Sequence, residues 1–278
     1  GIELQLAHGH LLQQFLSPIA NERGDKYGGN LENRMRIVLE TATAVRQMIG
    51  ADRTMGVRIS ADEFVQGGLT LDDMCAVIFK LASAVQLDFV NVSHSAYHGS
   101  YTISTQMADM AFSNQQFRYL TEAISTNLDG LERKPVIMSV CRYNSVELAE
   151  DMLATEKADM IGMARAHVAD PDLVNKAYFG NIEDTIPCIG CNQGCADMLA
   201  QSLAISCLTN PRAGKEADWP APFLQSTKVK KPVLVVGGGP AGMEASGILA
   251  ERGFSVTLAD SHSVLGAVSY THLTLPTI

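Results

Sequence analysis

The stretch PCIGCNQGCADMLAQSLAISCLTNP, residues 187–211, separates two different sequence patterns and carries four of the six cysteines in the chain. Cys188, Cys191, Cys195 and Cys207 follow the spacing C-x2-C-x3-C-x11-C. Three thiols close together and a fourth from a return segment can converge on one metal centre. A structural zinc site more often shows two separated C-x2-C pairs. The spacing therefore favours a [4Fe–4S] cluster, with zinc, and then a disulfide or free thiols, as the alternatives.

The composition is typical of a globular protein, with 46% hydrophobic and 18% charged residues. A net charge of −9 without any basic stretch argues against nucleic-acid or anionic-membrane partners. No apolar run approaches the roughly 18 residues that span a bilayer. Nothing indicates secretion, so we expect the isolated Cys75 and Cys141 to be reduced. These features together predict a cytoplasmic protein.

Before the cysteines, short apolar segments rich in Val, Ile and Met alternate with helical patterns up to about residue 180. Such alternation predicts an α/β fold with a parallel sheet, either doubly wound or a TIM (β/α)8 barrel. A barrel needs eight strands, so with five it would lack its first three. The predicted strands are 2–6, 55–60, 89–93, 136–140 and 160–164, and the predicted helices are 31–49, 71–85, 115–128 and 145–155.

Three arginines lie in the second half of one of these strands or shortly after one: Arg58, Arg142 and Arg165. In barrels the carboxyl ends of the strands build the active site, and the last two loops commonly hold a phosphate. Arg142 and Arg165 are therefore candidate phosphate ligands. The competing interpretation is that each arginine is a solvated surface charge, which is less convincing for a set that falls at one end of the sheet.

The connection spanning residues 8–33 is unusually long for an α/β unit, where two to six residues are normal. Connections of this length are often functional. Asn30 after Gly28 and Gly29 is the predicted N-cap of the helix that follows.

After the cysteines and a polar linker comes KPVLVVGGGPAGMEASGILAERGFSVTLAD, residues 231–260. Gly237, Gly239 and Gly242 form G-x-G-x-x-G between a predicted strand and a predicted helix. Such glycines let the backbone approach a pyrophosphate at the helix N-terminus. Asp260 ends the next predicted strand, where an acidic side chain binds a ribose hydroxyl. The segment therefore predicts the first βαβ unit of a Rossmann-like FAD- or NAD-binding domain.

Together, these motifs resemble the old yellow enzyme superfamily, and within it the iron–sulfur flavoproteins similar to 2,4-dienoyl-CoA reductase and trimethylamine dehydrogenase. The resemblance runs from residue 1 to about Gly266 and includes the strand of Arg58. It rests on AHGHLLQQFLSP (7–18), NERGDKYGGNLENR (21–34), DMIGMARAHVADPDL (159–173), CIGCNQGCADM (188–198), SCLTNPRAG (206–214) and VVGGGPAGMEA (235–245).

The resemblance implies the C-terminal part of an FMN-binding TIM barrel, a [4Fe–4S] cluster on the four cysteines, and the start of an FAD domain. It further implies that NAD(P)H reduces FAD and that single electrons pass through the cluster to FMN. FMN then reduces an activated C=C of a small-molecule substrate. By position, Arg58 would contact the flavin ring, Gly162 would lie beside the cofactor, and Arg142 and Arg165 would bind the FMN phosphate.

Two histidines, His10 and His98, are the candidate catalytic residues, and His94 is the alternative to His98. Donors aimed at a carbonyl oxygen would polarise an enone or an enoyl thioester. The competing interpretation of each is a hydrogen-bonded structural histidine. Reductase-like members of the family carry Tyr where His10 stands.

The substrate class has alternatives. His10, the run Asp62-Glu63-Phe64 and the sequence RAHVADP (165–171) resemble the branch that demethylates N-methylated amino acids and betaines. Oxidative N-demethylation, with the cluster passing electrons to a partner, is therefore the second hypothesis. A non-catalytic electron-transfer or zinc-stabilised module is the third.

The expected organisation has five parts. Residues 1–185 form the partial barrel, 186–212 the cluster segment, 213–231 a linker, and 232–266 the start of the dinucleotide-binding domain. Residues 267–278 resemble a non-native tail. The chain begins at Gly1 inside a strand-like run, so we expect a fragment, which by itself could be inactive.

Overall fold

A computed structural model describes residues 1–97, 100–219, 226–228 and 231–266, without the side chains of residues 100 and 101. The chain divides into two compact units, Gly1–Gly214 and Lys215–Ile278. The candidate catalytic residue His98 and the segment 267–278 lie outside the described residues. None of the helices in the described ranges is both long and apolar enough to cross a membrane.

The first unit is built on a five-stranded parallel sheet whose strands lie side by side in chain order. Helices follow each strand along the chain, as expected for parallel neighbours that need a crossover. The predicted α/β arrangement is therefore confirmed. The strands are β1 (Ile2–Leu6), β2 (Met55–Ser60), β3 (Phe89–Ser93), β4 (Val136–Ser139) and β5 (Met160–Ile161).

Ten helices of the first unit are described, and four of them match the predicted helices to within a few residues. They are α1 (Leu11–Leu16), α2 (Leu31–Arg34), α3 (Arg36–Ile49), α4 (Leu71–Ala84), α5 (Ser100–Gln106), α6 (Arg118–Leu128), α7 (Val146–Leu153), α8 (Ala164–Ala169), α9 (Leu173–Tyr178) and α10 (Met198–Ala200). A short 3-10 turn, Ile182–Asp184, and a π-helical turn, Gln193–Asp197, flank the first cysteines.

Two predicted boundaries change for local backbone reasons. The single helix predicted over 31–49 breaks at Met35, and the side chain of Asn30 caps the first piece by accepting a hydrogen bond from the Asn33 N–H. The helix predicted from residue 115 begins at Arg118, because Gln115 has a left-handed φ of 58° that a helix interior does not accommodate.

The strand register places one row of side chains across the sheet. Gln5, Arg58, Asn91, Met138 and Met160 are partners on successive strands from β1 to β5. Because side chains of a strand alternate between faces, these five share one face. The polar side chains of Gln5 and Asn91 therefore lie on either side of the cationic side chain of Arg58.

The main core lies between the sheet and helices α3, α4 and α6. Its packing gives the sheet a rigid base from which the polar row projects. The largest fully buried hydrophobic side chains of this core are Leu6, Leu16, Met55, Ile59, Leu69, Met74, Ile78, Leu81, Leu120, Ile124, Leu128 and Ile137.

The long connection after β1 is held by a buried carboxylate. Glu63 is fully buried and accepts hydrogen bonds from Gln13 Nε2 (2.9 Å), Ser17 Oγ (2.8 Å) and the Leu69 N–H (2.7 Å). Glu63→Ala removes this acceptor from Ser17 Oγ and the Leu69 N–H and leaves Gln13 Nε2 only the Ser95 carbonyl at 3.5 Å, so we expect it to lower the free energy of unfolding by about 3 kcal/mol. Urea denaturation measures this. The exposed Glu150→Ala serves as the control, and an equally small change in both variants would contradict the assigned role.

The second unit contains one parallel β–α–β unit: β6 (Pro232–Val236), α11 (Pro240–Glu251) and β7 (Ser255–Ala259). The two strands pair along their whole length. These bounds agree with the strand–turn–helix–strand order predicted from the glycine motif.

Candidate functional site

A cavity in the first unit has a volume of about 480 Å³, within the usual range for small-molecule sites. We call it the larger cavity, to distinguish it from a small pocket at the cysteines. The three predicted arginines all line the larger cavity: Arg58 from β2, Arg142 from the segment after β4, and Arg165 from α8. Gly162 lines it as well, and a Cβ there would lie 2.8 Å from Val140 Cγ1, too close for a side chain. The structure thus brings together the four residues predicted at the FMN site.

Seven buried side-chain polar atoms lack a hydrogen-bond partner among the described residues. Five of the seven belong to residues that line this cavity, and a sixth, Gln5 Oε1, is the register partner of Arg58. A buried polar atom without a partner costs about 1–3 kcal/mol, so this concentration indicates a place where a polar ligand binds. The five atoms are Arg58 Nε, Asn91 Oδ1, Gln106 Oε1, Arg142 Nη1 and Asn144 Oδ1.

The backbone after β4 is strained where it presents Arg142 to the cavity. Cys141 and Arg142 have left-handed φ angles of 83° and 64°, which non-glycine residues rarely adopt. Arg142 Nε donates to Asn114 Oδ1 at 3.0 Å, which leaves Nη1 as the unpartnered donor. Strain of this kind clusters at ligand sites, and here it ends β4 one residue earlier than predicted.

All four predicted metal ligands line one small pocket beside the cavity. No two of the six cysteines are joined in a disulfide. Burial raises the pKa of the Cys188 thiol, against the opposing effects of the Gly190 N–H and Arg165. The pocket between the cysteines has a volume of about 20 Å³.

Within the described part of the chain, no three His, Cys, Asp or Glu side chains are arranged to hold a single metal ion. A tetrahedral zinc ion requires all four sulfurs about 2.3 Å from one point. In a cubane cluster each of the four thiolates binds a different iron. The four sulfurs therefore lie farther from the centre of the site than they do around a single ion. A set of four thiolates is the donor set of a [4Fe–4S] cluster and also of a structural zinc ion.

Several hydrogen bonds fix the backbone that carries the cysteines. Asn144 Nδ2 donates to the Cys188 carbonyl (3.1 Å), and Asn210 Nδ2 donates to the Val168 carbonyl on α8 (2.9 Å). Gly194 lets its segment approach the segment around Ser206 closely, because a Cβ at residue 194 would lie 2.6 Å from the Ser206 carbonyl oxygen. These contacts place the cysteine loop against α8.

The cavity and the cysteine pocket are neighbours. Arg165, Val168, Cys188 and Cys195 line both. Two of the four candidate metal ligands therefore also form part of the cavity wall.

The histidines do not occupy equivalent positions. His10 is exposed just before α1, with its ring in edge contact with Tyr97 at 6.2 Å, and it is not among the described residues that line the cavity. His94 is buried, donates to the Thr105 carbonyl at 2.8 Å and packs on Phe117 at 4.1 Å. Its surroundings are those of a structural histidine.

The sequence interpretation missed His8. This residue is buried, has a left-handed φ of 58°, and its Nε2 lies 2.7 Å from Oγ of the cavity-lining Ser93. Its N–H donates to Ser60 Oγ at 3.0 Å. Burial, and then the charge of Arg58, lower its pKa to about 3. A polar residue close to the end of β1 was the available signal, by the same reasoning that identified the arginines.

The low pKa of His8 makes stability depend on pH. Between pH 3 and 6.5 the unfolded chain binds a proton at this position that the folded chain does not, so stability falls as the pH drops below about 6.5. His8→Asn, which tolerates a left-handed backbone, should reduce this slope by up to about 1.4 kcal/mol per pH unit. Urea denaturation at pH 5 and 7 measures it. The exposed His167→Asn should keep the wild-type slope, and an unchanged slope in His8→Asn would count against the assignment.

In the second unit, the glycine motif has the backbone that its sequence predicts. Gly237 has a φ of 104°, Gly239 caps α11, and a Cβ at Gly242 would lie 1.8 Å from the Gly237 carbonyl oxygen. Asp260 accepts from the Gly238 N–H (2.6 Å) and the His262 N–H (2.7 Å), and the first of these bonds is the main cause of its lowered pKa. Its carboxylate thus fixes the glycine turn directly.

Comparisons with known proteins give matches in both units. The profile of the NADH:flavin oxidoreductase / NADH oxidase family matches residues 1–183, and that of an FAD binding domain matches residues 230–269. The chain is 37% identical over 96% of its length to the "Metal reductase" of Desulforamulus reducens. It is 36% identical, over the same share, to the "N,N-dimethylglycine/sarcosine dehydrogenase" of Chromohalobacter salexigens.

Among solved structures, a 2-naphthoyl-CoA reductase in complex with 2-naphthoyl-CoA superimposes with a TM-score of 0.89 at 29% identity, covering 99% of this chain and 40% of that one. The chain spans 38% of the length of each of the two relatives above. The α/β fold resembles that of TIM-barrel oxidoreductases. The chain belongs to the NADH:flavin oxidoreductase / NADH oxidase family, a family of FMN-dependent oxidoreductases.

Proposed function

We propose that the larger cavity binds FMN. The observation that carries this proposal is the set of five unpartnered buried polar atoms around one cavity. Arg142 Nη1, together with Arg165, suits a phosphate group, because guanidinium groups make charge-assisted hydrogen bonds to its oxygens. Arg58 Nε and Asn91 Oδ1 stand side by side on β2 and β3 and offer one donor and one acceptor to a flavin ring.

We further propose that Cys188, Cys191, Cys195 and Cys207 hold a [4Fe–4S] cluster. Their shared pocket and their all-thiolate donor set support it. Because Cys188 and Cys195 also line the larger cavity, a cluster here would lie at its wall. The turn 237–242 is the proposed FAD site, with NAD(P)H as the electron donor of the complete protein.

The reaction we propose is NAD(P)H-dependent reduction of an activated C=C, in an enone or an enoyl thioester. Bound FMN supplies hydride chemistry. The residues of the chain would orient the substrate carbonyl and supply a proton. His8, neutral at physiological pH because its pKa is about 3, can hold the Ser93 hydroxyl in a fixed orientation at the cavity wall. His10, and His98 outside the described residues, remain the proposed proton donors.

A second candidate is oxidative N-demethylation of a methylated amine or betaine. It is favoured by the similarity to the N,N-dimethylglycine/sarcosine dehydrogenase, which is almost as great as the similarity to the metal reductase. In this reaction the substrate supplies the electrons, which leave through the cluster to a partner. The residues around the cavity would then orient an amine instead of a carbonyl.

Two substrate panels distinguish the candidates. The protein is mixed anaerobically with NAD(P)H and enones or enoyl thioesters, and separately with N-methylated amino acids, while the flavin absorbance is followed. C=C reduction predicts bleaching by NAD(P)H and recovery with the enone, and His10→Ala should slow only the recovery. Bleaching by an N-methyl amine without NAD(P)H, together with no enone turnover, would establish demethylation instead.

A further inference from the structure

One side-chain contact links the larger cavity to the cysteine pocket. Arg165 lines both spaces, and its Nη1 donates to Asn192 Oδ1 at 2.5 Å and to the Ala108 carbonyl at 2.9 Å. Asn192 lines the cysteine pocket and directly follows the ligand Cys191. The arginine proposed to bind phosphate is thus held by the loop proposed to hold the cluster.

Both the oxygen and the nitrogen of the Asn192 side-chain amide make hydrogen bonds. While its oxygen accepts from Arg165, its Nδ2 donates to the Met107 carbonyl. Met107 and its neighbour Gln106 line the larger cavity, and Gln106 carries one of the unpartnered polar atoms. One amide therefore joins the cysteine loop, the arginine and the cavity wall.

The backbone of Asn192 also favours this residue type. Its φ is 59°, in the left-handed region that Asn adopts more readily than other non-glycine residues. The angle turns the chain between Cys191 and the π-helical turn that carries Cys195. A movement of either cysteine consequently moves the Asn192 amide.

We propose that Asn192 is a positioning residue that couples the occupancy of the two sites, so that a loaded cysteine loop preorganises the FMN cavity. The proposal rests on the proposed cofactors. A loop fixed by metal–thiolate bonds then holds Arg165 and the 106–108 wall in place, which lowers the ordering cost of binding FMN. By linkage, bound FMN stabilises the loaded loop to the same extent.

The test measures FMN affinity with and without the cluster. The wild-type protein, reconstituted anaerobically, is titrated with FMN before and after the iron is removed by oxidation and chelation. We expect FMN to bind at least about fivefold more tightly to the iron-loaded form, the lower end of typical coupling between sites. Asn192→Gly keeps the left-handed backbone and the four cysteines but removes the amide. It should retain iron, while the ratio of the two affinities falls to about one.

Two further variants keep the inference testable if Asn192→Gly folds poorly. Arg165→Lys keeps the charge near the phosphate but removes the Nη1 atom that donates to both Asn192 and the Ala108 carbonyl, so it should also bring the ratio of the two affinities to about one. Gln201→Ala removes an exposed amide that bonds only the Asp197 carboxylate of the same segment, and it should keep the wild-type ratio.

The outcomes separate the two proposals. A wild-type protein that binds no iron would overturn the proposed cluster and the coupling with it. A wild-type protein that binds iron and FMN independently would overturn the coupling alone, as would an Asn192→Gly variant with the full wild-type ratio.

Discussion

Serine in place of any one of Cys188, Cys191, Cys195 and Cys207 is expected to remove most of the iron from the protein. A thiolate is a far better ligand for an iron–sulfur cluster than a hydroxyl. The four cysteines line one pocket and are not paired in disulfides, so under the proposal each would supply one ligand of the cluster. Iron and acid-labile sulfide analysis of anaerobically purified protein measures the loss.

Cys75→Ala is the matched control, because Cys75 lies on α4, packs against the main core and is absent from the cysteine pocket. It should keep the iron content of the wild type. Flavin content measured on the same samples separates loss of the cluster from global unfolding. About one zinc per chain and no iron in the wild type would instead support a zinc-stabilised module, and the cluster proposal would fail.

Much of the sheet could be predicted from the sequence because buried parallel strands are short, apolar and regularly spaced. The first three strands agree with their predicted bounds residue for residue. The last two are shorter than predicted. After Ser139 the chain turns left-handed at Cys141, and after Ile161 the chain enters α8 at Ala164. The residue at which such a strand ends depends on the tertiary contacts of the side chains that follow it. A pattern of apolar residues does not encode those contacts.

The candidate site was predictable in its charges and less so in its hydrogen bonds. Arginines at strand ends, and cysteines at short spacing, identify themselves by type and position. His8 is a polar residue near the end of β1, but its burial, like the missing partner of Gln5 Oε1, depends on tertiary packing and could not be predicted from the sequence. The hydrogen bond between Arg165 and Asn192 also could not be predicted from the sequence, because the two residues are 27 positions apart.

Arg142 should strengthen FMN binding but should not stabilise the flavin-free protein. In the structure its Nη1 is buried without a partner, which is unfavourable until a ligand accepts the hydrogen bond. Arg142→Asn removes the donor and the charge but tolerates the left-handed φ of 64°. A hydrogen bond to a charged group contributes about 1.5–3 kcal/mol, so we expect FMN to bind roughly 10- to 100-fold more weakly.

The same substitution should leave the flavin-free protein at least as stable as the wild type, because the unpartnered buried donor that it removes is costlier than the exposed hydrogen bond to Asn114 that it loses. Flavin titration and urea denaturation of the apoprotein test the two effects separately. Arg133→Asn is the control, since Arg133 is exposed and bonds Asp88, the residue just before β3, at the opposite end of the strand from the site. It should leave FMN affinity unchanged. Loss of apoprotein stability with unchanged FMN affinity in Arg142→Asn would make Arg142 a structural residue and would remove it from the phosphate site.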